Sequence, residues 1–72
     1  MQDKEFLMDI VRTKMPYGKY KGWFIADVPE NYLVWMKGKG FSTDKIGLLL
    51  QTAYEIKLNG LDDILTGLKK LK

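Results

Sequence analysis

Apolar residues recur at helical spacing in four stretches of the chain, and the spacing breaks down between the first and the second. In the first stretch, Asp3 to Thr13, the side chains of Phe6, Leu7, Ile10 and Val11 share one face and leave Lys4, Glu5, Asp9 and Arg12 for water. Asp3 suits the N-cap of this helix. Pro16 ends it near Lys14, because a residue before proline resists the helical region. From Lys14 to Ile25 no helical period survives. Met15 and Tyr17 fall on one side, Gly18 to Gly22 form a bend, and Trp23-Phe24-Ile25 returns with strand-favouring side chains, which predicts a β-hairpin. The turn takes in Gly18 to Gly22 or only Gly18-Lys19, so the register stays open. A lone two-stranded ribbon is unstable in water and must pack on helices.

The second helix is predicted over Asp27 to Lys37. Asp27 and Glu30 stand at capping-box spacing, Pro29 sits in the first turn, and Gly38 and Gly40 stop the helix. Tyr32, Leu33, Trp35 and Met36 supply its buried stripe. The third helix starts from Ser42 as N-cap, with Phe41 and Ile46 as a hydrophobic staple. Its face is Ile46, Leu49, Leu50, Ala53, Tyr54 and Ile56, and Asn59-Gly60 ends it. The fourth runs from Leu61 to Leu71, with Leu61, Ile64, Leu65, Leu68 and Leu71 on one side and Gly67 weakening it. The expected architecture is a single α+β domain over residues 1–72: a helix, a β-hairpin, then three helices packed on it.

Composition narrows the chemistry. The 72 residues include no cysteine and no histidine. That removes disulfides, thiolate metal sites, thiol catalysis and the usual general base. Ser42 and Thr43 therefore have no histidine partner for nucleophilic work. Asp27, Glu30, Asp44, Asp62 and Asp63 read as capping or first-turn acids rather than a metal cluster. The sequence predicts no catalytic site, no metal and no cofactor. No apolar run of about 18 residues exists, so no membrane span is expected. Asp3 and Glu5 stand where a signal peptide would be basic, which favours a bacterial-type cytoplasmic protein.

Charge distribution changes the picture further. The formal net charge is +3. Between Arg12 and Ala26 there is no acid, but there are Arg12, Lys14, Lys19 and Lys21. Lys37 and Lys39 form a second basic pair, and Lys69, Lys70 and Lys72 a third. Lysines interleaved with rings suit single-stranded nucleic acid, because ammonium groups meet phosphates and rings stack on bases. Lys14, Lys19, Tyr20, Lys21, Trp23, Lys37 and Lys39 are the candidate contacts. The competing expectation buries the rings of Tyr17, Trp23 and Tyr20 as anchors of the hairpin and leaves the lysines merely solvated. Gly18-Lys19-Tyr20-Lys21-Gly22 lacks the spacing and the Ser/Thr of a nucleotide P-loop. The leucine face of the last helix either completes the core or offers a protein-binding or homodimerising surface.

Two motifs carry a family resemblance. Met15-Pro16-Tyr17-Gly18-Lys19-Tyr20-Lys21-Gly22 is followed by Asp27-Val28-Pro29-Glu30-Asn31-Tyr32-Leu33-Val34-Trp35-Met36, and Tyr54 to Leu61 adds a third matching stretch. Over roughly residues 13–68 the chain resembles the DUF3820 family, labelled quorum-sensing-regulated virulence factors. The first two blocks together are also similar to an accessory segment of some exonuclease-X-like, DnaQ-type proteins. Tyr17 stands where the family usually has Phe, and Trp23 where a polar or basic residue is common. The resemblance implies a loose association with nucleic-acid enzymes and no activity of its own. The exonuclease catalytic residues belong to a different domain.

Overall fold

The computed structural model describes residues 4–71, so the expected Asp3 cap and Lys72 lie outside it. The chain forms α1 (Lys4–Arg12), a 3-10 turn (Ile25–Asp27), α2 (Glu30–Lys39), α3 (Lys45–Leu58) and α4 (Asp62–Lys69). Among the described residues there is no β-strand; a single antiparallel bridge joins Lys14 to Phe24. The fold is therefore all-helical, and the expected α+β class with a β-hairpin is wrong.

Three features stop the ribbon from growing. Met15 N–H donates to the Trp23 carbonyl (2.7 Å), Gly22 N–H to the Met15 carbonyl (2.9 Å) and Ile25 N–H to the Thr13 carbonyl (3.0 Å). Beyond Met15, Pro16 has no N–H to continue the ladder. Residues 18–23 then fold into two successive turns, with Lys21 N–H donating to Gly18 O and Trp23 N–H to Tyr20 O. At the other end the chain enters the 3-10 turn at Ile25. Met15 and Tyr17 do not share a side: Met15 is buried, while Tyr17 is 45% exposed rather than a core ring.

The 3-10 turn and its flank form the centre of the core. Ile25, Ala26 and Val28 are buried there together with Ile10, Val11 and Met15, and α3 adds Leu49, Leu50 and Ala53. Val28 precedes Pro29 and is held extended (φ −66°, ψ 128°). No helix can run through it, so α2 begins at Glu30, with Pro29 at its N-cap and no side-chain cap. The expected Asp27–Glu30 capping box is absent. Asp27 instead pairs with Lys69 of α4. The Lys57 ammonium donates to the Val28 carbonyl at 2.5 Å, tying α3 to this segment, and burial pushes its pKa below the ordinary lysine value.

The helix ends are set locally. Gly38 lies inside α2; Gly40, at φ 95°, is the residue that ends it. Asp44, not Ser42, is the N-cap of α3. Its Oδ1 accepts the Gly47 N–H (3.0 Å) and the Ser42 hydroxyl (2.6 Å). Phe41 and Ile46 are partly buried, and Phe41 packs on Tyr54. Asn59-Gly60 does end α3, as expected. Gly60 (φ 71°) donates to the Lys57 carbonyl and Leu61 to the Ile56 carbonyl, the paired bonds of a Schellman cap.

On the outer side, Asp9 accepts from Arg12 (3.0 Å) and from Lys45 of α3 (2.7 Å), and Arg12 also reaches Glu5 (2.7 Å). The Lys45 and Arg12 hydrogen bonds lower the Asp9 pKa from its ordinary 3.8; the Ser42 hydroxyl and Gly47 N–H lower that of Asp44. A carboxyl more acidic in the folded than in the unfolded chain stabilises the fold above its unfolded pKa, and that contribution disappears as pH falls through the folded value. Thermal melting is therefore expected to weaken with acidification below about pH 4. The Asp9→Asn variant should melt with a shallower acid slope. An unchanged slope would remove the α1–α3 link from the account.

Candidate nucleic-acid interface

The two turns over residues 18–23 need backbone that L-residues avoid. Gly18 and Gly22 supply it, at φ 84° and 90°. A Cβ on Gly18 would also stand 3.1 Å from the Tyr32 hydroxyl, so the turn lies directly against α2. This contact assembles a row of four rings. Trp23 meets Tyr20 edge to face at 4.8 Å, Tyr20 meets Tyr32 edge to face at 4.8 Å, and Tyr32 stacks on Trp35 at 5.4 Å. The inner pair, Tyr20 and Tyr32, is half-buried and fastens the turn to the helix. The outer pair is open: Trp23 is 49% exposed and Trp35 54%. The three ring-to-ring steps cap the separation of the two indoles at about 15 Å, within reach of a few nucleotides of single strand.

Cations attend the row. The Lys39 ammonium lies 5.4 Å from the Trp35 ring centre and that of Lys19 lies 5.7 Å from Tyr20, both within cation–π range. Lys14 sits over the neighbouring Phe24 at 5.6 Å. Lys21 is exposed in the turn. Lys37 is exposed too, but about 200° around α2 from Trp35, so it faces away from the row. Among the described residues, no ion pair ties Lys14, Lys19, Lys21, Lys37 or Lys39 to a carboxylate, whereas Arg12, Lys45 and Lys69 are committed to acids. The acid-free stretch thus loses its first cation, Arg12, to α1.

The structure sets Lys19 and Lys39 on the row with Tyr20 and Trp23, puts Lys14 over Phe24, which is not part of the row, leaves Lys21 exposed in the turn, and turns Lys37 away. Sequence reasoning missed Tyr32 and Trp35, which it assigned to the core. Leu33-Val34-Trp35-Met36 held the missing signal. Four consecutive apolar residues at about 100° steps surround a helix and cannot all face one neighbour. Only Leu33 of α2 is buried.

Residues 3–68 match the model of a family described as "Putative quorum-sensing-regulated virulence factor". The chain belongs to this family. Both segments that carry the ring row lie inside the span matched by the quorum-sensing-regulated virulence factor family. The "Uncharacterized protein YpeB" of Escherichia coli strain K12 is 44% identical over 69 residues, covering 94% of this chain and 96% of the relative. The YpeB of Escherichia coli O157:H7 matches to the same extent. No solved structure matches the chain.

Proposed function

We propose that this family member is a small non-enzymatic module that binds single-stranded nucleic acid across the row Trp23–Tyr20–Tyr32–Trp35. The observation that carries the reading is the pair of open indoles at the two ends of one row, with lysines of no fixed acidic partner beside them. Exposed rings offer π-faces to any base, and the lysines offer charge to the phosphates, so recognition is by chemistry rather than by sequence. The half-buried tyrosines hold the platform in place before ligand arrives, which spares the complex an ordering cost. The resemblance of the first two motif blocks to an accessory segment of exonuclease-X-like proteins is in keeping with this reading.

The two tryptophans of the chain are the two ends of the row, so intrinsic emission reports on the site directly. Titration with a labelled single-stranded oligonucleotide at low salt is expected to raise its anisotropy and quench the indole emission together. Removing one stacking ring, Trp35→Ala, should weaken binding about 5- to 150-fold, the range for losing roughly 1–3 kcal/mol of stacking. The double change Lys19→Glu and Lys21→Glu should weaken it further and flatten its salt dependence. No binding at low salt, or binding indifferent to these changes, rejects the proposal.

A further inference from the structure

One flank of α4 has no explanation within the single chain. Ile64 is 43% and Leu71 62% exposed, although both stand at the spacing of a packed helix face. Gly67 lies between them on the same flank. It is inside the helix with ordinary negative φ, and a Cβ there would meet nothing within 4 Å. Neither backbone geometry nor internal packing calls for glycine at this point, and glycine weakens a helix. Beside this flank an open cleft of about 380 Å³ separates α1, α3 and α4, with Leu7, Ile56, Leu61 and Ile64 among its lining. The molecule thus carries an exposed apolar knob, Leu71, and a cleft that is mostly apolar, with Thr52, Glu55 and Asn59 also in its lining.

The charges border this flank in a self-complementary way. Asp63 lies in the first turn of α4, and Lys70 directly follows its last. Turned antiparallel about a point near Gly67, two copies of α4 set Asp63 of each against Lys70 of the other. The same rotation brings Leu71 of each copy to the mouth of the other's cleft and lets the helices approach across Gly67. One set of residues satisfies both sides, as a two-fold interface requires.

We infer that the chain self-associates as a two-fold dimer through antiparallel α4 helices, with Leu71 of each copy seated in the α1–α3–α4 cleft of the other. The contact is small beside a permanent interface, so the dimer is reversible and depends on concentration. The inference is independent of nucleic-acid binding, since no residue of the ring row takes part.

Sedimentation equilibrium tests it on the full chain. The expected mass rises with concentration from 8.4 kDa toward twice that value. Leu71→Asp should raise the dissociation constant about tenfold or more, with the helical circular dichroism unchanged because the side chain is exposed. Charge reversal provides the sharper arm. Asp63→Lys alone and Lys70→Asp alone should each weaken dimerisation by placing like charges opposite one another. Mixed in equal amounts, these two variants should pair with each other, since every facing charge is then opposite. A chain that stays monomeric at all concentrations leaves the flank to some other protein and overturns the inference. So does a dimer indifferent to Leu71→Asp, or a mixture of the two charge variants that fails to pair.

Discussion

Replacing Gly47 by alanine is expected to destabilise the fold by about 2–4 kcal/mol, the opposite of what alanine usually does inside a helix. Gly47 is the third residue of α3 and is buried. A Cβ there would lie 1.8 Å from the Ser42 carbonyl oxygen and 2.5 Å from its carbon, both backbone atoms. Relief requires the 42–44 loop to move, and that loop carries the cap. Asp44 accepts the Gly47 N–H and the Ser42 hydroxyl, and a lost cap costs about 0.5–2 kcal/mol more. Against a total stability of roughly 4–10 kcal/mol for a chain this size, the loss is large. Urea unfolding followed by circular dichroism measures it. Gly38→Ala is the control, because its Cβ would meet nothing within 4 Å and no positive φ opposes it. That variant should gain about 0.4–1 kcal/mol. Equal effects at the two glycines would contradict the close approach of Ser42.

Leu33→Ala should cost about 2–5 kcal/mol, the range for emptying a buried leucine site. Leu33 is the one α2 residue that the fold buries fully. The helix packs on α3 with Tyr32 and Met36 partly buried beside Leu33, and it lacks a side-chain cap, so Leu33 is its main anchor. Tyr32 and Trp35 ride on the same helix. Loosening it should disturb the stacking of Tyr32 on Trp35 and shift the indole emission before global unfolding. The neighbouring Val34→Ala, at a site 45% exposed, should stay within about 0.5 kcal/mol. A Leu33 variant that unfolds in one step, with tryptophan emission unchanged until the transition, would show that α2 is held by contacts other than this side chain.

The α1, α3 and α4 helices were legible because each carries its own signal. Apolar residues recur at helical spacing in all three, and Asn59-Gly60 marks the end of α3 with the residue pair a Schellman cap uses. The start of α3 was two residues off. Ser42 and Asp44 are both good caps, and which one serves depends on where the loop after Gly40 lands. The segment from Lys14 to Ile25 was misread as a hairpin because its strand-favouring residues obey a local preference that the surroundings override. Pro16 withholds a donor, consecutive turns consume residues 18–23, and the 3-10 turn takes the return arm into the core.

The candidate site divides along the same line. Its charges were legible, since the absence of acids from Arg12 to Ala26 is a property of the order of residues. The availability of those charges was not: Arg12 is captured by Glu5 and Asp9, Lys69 by Asp27, and Lys37 is turned away by the period of α2. Periodicity made Trp35 and much of the α4 face look like core, because spacing reports which residues share a side and not whether another element covers that side.

The order of residues by itself determined which stretches are helical and how many lysines lie near rings along the chain, because each depends on neighbours within a few positions. Only the tertiary structure decided which rings meet, which lysines keep a free charge and which apolar faces stay open. Those outcomes depend on contacts between segments far apart in the chain, such as Tyr20 against Tyr32 and Asp27 against Lys69.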